Sequence, residues 1–405
     1  MRALLLLWCL LAAGSSLAAP DEEALGKSEG YPVCPPSVPM PTKCLVGMVS
    51  HYDEILPARK VPRGQQTRAL RRARAEPPIQ YTYQSRTYGI DDYLARHRTT
   101  ALLILKGDTI LVERYQYDRT PEQRMTSYSM VKTVVGMLTG IALSEGVIGS
   151  LDDRADKYVT ELKGTPYGET TIRHLLTMSS GVQFSEVGGS DDLATLARLS
   201  FLGQSEGGAA TMKPFRTRER PQGESFHYSS GDTQVLGLVL RAATGKPLSD
   251  YFSDKIWKPM GAEADASWNI DKGGYETAYS SMNATARDYA RLGLLLANDG
   301  ALDGTQIIPA AWVRAATTPP AEQFEPGRIE KLVGGCCSAL GYGYQTWILP
   351  GIERQFLMWG MRMQFVFVEP KSKLVLVHTA ADDVGPIPDE LLALWNGVTT
   401  SLGDR

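Results

Sequence analysis

Two pairs of β-rich segments stand far apart in this chain, and any fold it adopts must bring them into one sheet. The first pair, Thr100-Ala101-Leu102-Leu103-Ile104-Leu105 and Thr109-Ile110-Leu111-Val112-Glu113-Arg114-Tyr115, flanks Lys106-Gly107-Asp108, a run-turn-run pattern that predicts a hairpin. The second, Gln364-Phe365-Val366-Phe367-Val368 and Leu374-Val375-Leu376-Val377-His378, flanks residues 369–373. Between the pairs the pattern is largely helical. Helices are expected over Ile172 to Met178, over Asp192 to Leu199, and over Thr233 to Thr244, where Leu236, Val239 and Leu240 form one stripe before Gly245. Another runs from Thr285 to Asn298, with Asn283 or Thr285 as its cap. Ile90 to His97 and Pro388 to Leu402 are helical patterns outside the pairs. The implied class is α+β: a central antiparallel sheet closed by sequence-distant segments and flanked by helices, with a mainly helical lobe inserted over roughly residues 150–285.

The 405 residues suffice for one large two-lobed domain, and 43% hydrophobic with 21% charged residues is ordinary globular composition. A net charge of -3 gives no reason to expect nucleic acid or an anionic membrane as partner. Residues 1–19 read as a secretory signal: Met1-Arg2, an apolar run from Ala3 to Leu11, and a small-residue cleavage site ending at Ala18 or Ala19. The expected product is exported, periplasmic or secreted, without a membrane span. Cys9 leaves with the signal. Cys34, Cys44, Cys336 and Cys337 then remain and allow three disulfide pairings. Adjacent Cys336 and Cys337 make a strained bridge between themselves, whereas Cys34 with Cys44 closes a small proline-rich loop. No cysteine or histidine spacing resembles a metal site, so neither metal nor other cofactor is expected. Residues 20–80 form a proline- and arginine-rich extension, read as a solvated linker with cell-envelope contact as its alternative use. The globular domain is expected over 81–405.

Ser129-Met130-Val131-Lys132 opens an apolar helical pattern. Residues three apart share a helix face, so the Ser129 hydroxyl and the Lys132 amine can meet. A serine needs an adjacent base to act as nucleophile, and a lysine becomes one when an apolar wall lowers its pKa. Downstream, Phe226-His227-Tyr228-Ser229-Ser230-Gly231-Asp232 precedes a helix. Tyr228 can relay the proton between serine and leaving group, its anion favoured beside the ammonium, while Ser230 can hold the lysine or the substrate. His227 reads as loop packing. Trp347, Trp359 and Tyr344 suit either a pocket lining or core, and Glu186, Asp191 and Asp192 read as solvated acids that could meet a cationic substrate end.

Ser129-x-x-Lys132, Tyr228-x-Ser230, His174-Leu175-Leu176-Thr177-Met178-Ser179-Ser180-Gly181 and Asn283-Ala284-Thr285-Ala286-Arg287-Asp288-Tyr289-Ala290-Arg291 together resemble the serine β-lactamase-like and penicillin-binding-protein superfamily, with its class C β-lactamase fold. The likeness runs from about residue 85 onward and is nearest the 6-aminohexanoate-dimer hydrolase and esterase branch. Tyr228-Ser229-Ser230 carries serine where β-lactamases usually carry asparagine, and Met358-Trp359-Gly360-Met361-Arg362-Met363-Gln364 lacks the lysine of their Lys-Thr-Gly motif. His378-Thr379-Ala380 looks closer to that motif but ends a later strand.

The resemblance implies acyl transfer on a small-molecule ester or amide, with Ser129, Lys132 and Tyr228 catalytic. Oxyanion and substrate contacts are then expected from the Ser129 N–H and from Ser230, Gly360, Met361 and Arg362. Arg362 could replace the charge of the missing lysine. A β-lactamase or D-alanyl-D-alanine carboxypeptidase is the rival enzyme, and a non-catalytic binding protein of the same fold is the rival from another class.

Overall fold

The computed structural model describes residues 21–36, 40–186, 191–329, 339–382 and 387–404. The expected signal over 1–19 and the cysteines at 336 and 337 lie outside them.

The two expected strand pairs meet. One sheet contains β1 (Arg71–Arg72), β2 (Thr99–Lys106), β3 (Thr109–Tyr115), β4 (Gly341–Tyr342), β5 (Trp347–Ile348), β6 (Phe356–Gly360), β7 (Gln364–Glu369) and β8 (Leu374–Ala380). Its lateral order is β4-β5-β6-β7-β8-β2-β3-β1. The closing pair is antiparallel, with Leu376 opposite Ile104 and Val377 opposite Leu103. The edge strand β1 runs parallel to β3 and departs from the all-antiparallel expectation. The strands read as continuous apolar runs because both faces of the sheet are covered. Leu103, Leu105, Val366, Val368, Val375 and Val377 face a core shared with Leu292 and Leu296 of helix Ala286–Ala297. Leu102, Ile104, Phe365, Phe367, Leu374 and Leu376 face a second core with Leu391, Leu394 and Trp395 of helix Asp389–Leu402.

Four helices frame the sheet and the site beside it: α1 (Val131–Ser144), α2 (Ser230–Thr244), α3 (Ala286–Ala297) and α4 (Asp389–Leu402). Gly245 closes α2 in a left-handed conformation, and the Thr285 side chain, not Asn283, caps α3 by accepting from the Asp288 N–H. An Arg291–Glu263 pair at 2.8 Å and an Arg287–Glu113 pair at 2.7 Å tie α3 to its surroundings, and Arg291 also pairs within the helix with the buried Asp288 at 2.9 Å. The Asn283-to-Arg291 motif is therefore a structural clamp.

A second sheet departs from the sequence reading. It orders Ala58–Val61, Ala266–Asn269, Met282–Thr285 and Arg124–Thr126. Its inner strands are four residues long and wholly buried, so they carry no alternation to read. The lobe over 150–285 thus contains strands as well as helices.

The stretch before residue 80 also differs from the expected linker. Its first half forms the buried Leu45–Ser50 helix, and Cys34 is bridged to Cys44 with Cα atoms 5.7 Å apart. Its second half supplies a strand to each sheet. Arg59 pairs with Glu276, Lys60 with Asp265, Arg68 with Asp303, Arg71 with Asp108 and Arg72 with Glu113. Charges that look like a free basic strip in sequence are largely matched within the fold. Among the described residues no helix is long and apolar enough to cross a membrane.

Candidate active site

The chain leaves strand Arg124–Thr126, makes a tight turn over Tyr128–Met130, and enters α1. Ser129 sits in that turn, half-buried, one turn before the buried Lys132. Tyr128 has φ of 42°, a left-handed conformation uncommon for a bulky residue. Such strain persists where the surroundings over-determine it. Here the Tyr128 carbonyl accepts from the Ser281 N–H at 3.3 Å and the Ser127 hydroxyl at 2.8 Å. Its ring packs edge-on against Tyr52 at 5.7 Å, and its hydroxyl reaches the Met48 sulfur at 3.9 Å. The N-terminal segment therefore holds the nucleophile turn from behind.

Lys132 Nζ donates to Ser129 Oγ at 2.9 Å, Ser230 Oγ at 3.0 Å and the Tyr279 carbonyl at 2.9 Å. Burial lowers its pKa to about 8, and the Glu186 carboxylate partly offsets that fall. The Tyr279 carbonyl only accepts, so a neutral amine keeps an N–H directed there and a second for Ser230. Its lone pair is then left for the Ser129 hydroxyl. Tyr279 could not be found from sequence, because it contributes a backbone carbonyl to which its side chain is irrelevant.

Tyr228 stands beside Ser129, and Lys132 Nζ lies 5.0 Å from its ring centroid. Trp347 stacks on Tyr228 at 5.3 Å, which makes the tryptophan part of the site's wall and not merely sheet core. Burial, reinforced by Glu186, pushes the Tyr228 hydroxyl well above its ordinary pKa of 10. This corrects the expectation of a favoured phenolate: desolvation outweighs the neighbouring lysine, so Tyr228 is a neutral phenol.

The Ser230 position is fixed by its helix. Ser229 caps α2 by accepting from the Asp232 N–H, while the Ser230 N–H donates to the Glu186 carboxylate. Glu186 therefore belongs to the site rather than to the solvated lobe surface. Asp192 instead accepts from the Ser185 N–H at 2.9 Å and stabilises its own loop. The buried Asp232 accepts from Ser180 Oγ at 2.8 Å, and burial raises its carboxyl to about 7 against the bonds from Ser180 and Ser229. The His174-to-Gly181 motif thus positions α2 and does no chemistry itself. Gln345 assists by donating to the Leu175 carbonyl at 2.9 Å and accepting from the Thr233 hydroxyl at 2.7 Å.

Strand β6 ends against the nucleophile turn. A Cβ built on Gly360 would stand 2.1 Å from the Ser127 carbonyl oxygen and 3.1 Å from Tyr128 Cβ. Only glycine permits this approach, and it puts Met361 beside the turn. Gly360→Ala should therefore displace Ser129 and cost about 100-fold in kcat, the scale of an ångström-sized misplacement. Ester turnover by the folded variant measures it, and a loss below threefold would show that the approach is dispensable. Arg362 donates to the Asp382 carbonyl at 2.9 Å, lies beside the Tyr128 hydroxyl and lines an open cleft.

Other candidates fall elsewhere. His227 meets the Phe184 carbonyl. His378 is buried on β8 between Tyr93, Thr99 and the Met363 carbonyl, with burial lowering its pKa to about 4. Tyr344 packs on Trp312 at 5.1 Å, and the half-buried Trp359 packs on Trp347 at 5.2 Å.

A family model described as Beta-lactamase matches residues 90–393. The chain belongs to the beta-lactamase family. A 6-aminohexanoate-dimer hydrolase of Paenarthrobacter ureafaciens is 26% identical over 338 residues, covering 81% of this chain and 83% of the relative. Among solved structures, a Bacillus anthracis protein provisionally named as a 6-aminohexanoate-dimer hydrolase aligns with TM-score 0.74 at 24% identity, over 88% of this chain and 93% of its own. A family VIII carboxylesterase aligns with TM-score 0.58 at 17% identity, over 76% and 93%. This member of the beta-lactamase family is thus a serine hydrolase of the β-lactamase type, related to aminohexanoate-dimer hydrolases and esterases.

Proposed function

We propose that this protein is an exported hydrolase that cleaves an ester or amide through an acyl-enzyme on Ser129. The observation that carries the reading is the Lys132 amine, buried, lowered to about 8 and 2.9 Å from Ser129 Oγ. In the proposed cycle the neutral Lys132 takes the Ser129 proton as Oγ bonds to the substrate carbonyl carbon. The oxyanion is met by the Ser129 N–H and by a second N–H near Met361. Tyr228, a neutral phenol, gives its proton to the departing oxygen or nitrogen as the carbonyl–leaving-group bond breaks, and the Lys132 ammonium restores it. Water then attacks the acyl-enzyme, with Lys132 accepting its proton and returning it to Ser129 Oγ. Ser230 keeps Lys132 in place throughout. Export is supported by the apolar start of the chain and by the Cys34–Cys44 bridge, since disulfides persist in oxidising compartments.

If the free amine of Lys132 is the base, kcat/KM rises with pH through about 8 and levels above it. Glu186 stabilises the ammonium, so Glu186→Gln should move this limb to lower pH, by roughly one unit or less. A limb that stays in place would detach Glu186 from the base. Three substrates separate the chemistries: a short-chain nitrophenyl ester, a linear aminohexanoate dimer and a chromogenic cephalosporin. Turnover of either of the first two, exceeding that of the cephalosporin, is expected because β6 brings no lysine to the site. Rapid cephalosporin turnover with none of the ester would make the protein a β-lactamase.

A further inference from the structure

A cleft of ≈ 740 Å³ opens between the N-terminal segment and the Asp191–Phe201 helix, a volume typical of small-molecule sites. Leu45, Met48 and Ile55 form one wall and Ala197 and Phe201 the other. The cleft reaches the nucleophile turn, although Ser129, Lys132 and Tyr228 are not among its described lining residues. Tyr128, the residue before Ser129, lines it, and so does Met361, the residue after Gly360.

Its charge is one-sided. Arg198 and Arg362 line the cleft, and among the described residues no aspartate or glutamate does. Arg198 donates to the Thr195 hydroxyl at 2.9 Å and Arg362 to the Asp382 carbonyl at 2.9 Å, both neutral acceptors. Among the described residues neither guanidinium forms an ion pair with a carboxylate, although Arg59, Lys60, Arg68, Arg71 and Arg72 of the N-terminal segment do. Apolar walls with two unneutralised guanidiniums suit a hydrocarbon chain that ends in an anion. A guanidinium fork matches a carboxylate in geometry as well as charge.

We propose that this cleft holds the acyl part of the substrate: an unbranched hydrocarbon chain bearing a terminal carboxylate, met by Arg198 and Arg362. The proposal rests on the reading of Ser129 as nucleophile. The N-terminal segment then takes part in substrate selection, as the wall that closes the cleft.

Two measurements separate the cleft from the nucleophile. Calorimetry on Ser129→Ala protein, which needs no turnover, compares octanoate with octanol. Octanoate should bind at least tenfold more tightly, Arg198→Gln should reduce that margin at least threefold, and Ala197→Trp, which fills the cleft, should abolish binding of both. Ala197 is half-buried and Arg198 exposed, so neither change opens a hole in the core. Equal affinity for the two probes, or octanoate binding that survives Ala197→Trp, would overturn the proposal. In catalytically intact protein, the ratio of kcat/KM for nitrophenyl hydrogen suberate to that for nitrophenyl acetate should fall at least tenfold on Ala197→Trp. An unchanged ratio overturns the cleft assignment while leaving Ser129 standing. Tight octanoate binding without turnover of either ester supports the cleft and overturns the nucleophile.

Discussion

Ser129→Ala should lower kcat for a nitrophenyl ester by at least about 10⁴-fold, as removal of a covalent nucleophile does in other serine hydrolases. The melting temperature should hardly move. Ser129 is half-buried, and its hydroxyl is one of three acceptors around Lys132, the other two being untouched. Stopped or steady-state turnover beside a thermal melt measures both. A loss below tenfold would point to another serine, and Ser230 would be the first to test, since its hydroxyl lies 3.0 Å from the same amine. Ser230→Ala itself should cost far less, on the order of tenfold, because it removes a support for the base and not the attacking atom.

Lys132→Met should be nearly as damaging, with a loss on the order of 10³-fold or more, because serine and base act as a unit. It should also erase the rise of kcat/KM through pH 8. Stability supplies an independent sign. The folded-state pKa of Lys132 is lowered from 10.5 to about 8, so between these values the unfolded chain holds a proton that the folded one has released. The contribution of this residue to stability is therefore lowest below pH 8 and rises toward pH 10.5. The gain is about 3 kcal/mol for a shift of this size. Neighbouring tyrosines titrate in the opposite sense, so the quantity to follow is the difference between parent and variant denaturation midpoints. Lys132→Met should be the more stable protein at neutral pH, with its advantage shrinking as pH rises. A pH-independent difference would mean that Lys132 is not desolvated in the folded protein.

Much of this arrangement is legible in the chain because it depends on local spacing. The i, i+3 relation of Ser129 and Lys132, the capped start of α2 after Tyr228, and the apolar runs of β2, β3, β7 and β8 are each written in consecutive residues. What is not legible depends on tertiary burial. The wholly buried strands at Ala266–Asn269 and Met282–Thr285 have no polar face to mark them. Glu186 resembles any acidic loop residue until the fold lays it on the Ser230 N–H. The protonation of Tyr228 follows from desolvation, which no motif encodes. The arginines before residue 80 look like a free basic strip because their acidic partners, Glu276 and Asp303 among them, lie far away in sequence.

Formation of an acyl-enzyme on Ser129 is tested most directly by intact mass followed by peptide mapping. Protein incubated with a nitrophenyl ester and quenched in acid, or treated with a fluorophosphonate, should carry one adduct. That adduct should map to the peptide containing Ser129 and be absent from Ser129→Ala. Turnover of the ester with the adduct on another residue, or undiminished in Ser129→Ala, would contradict Ser129 as the nucleophile.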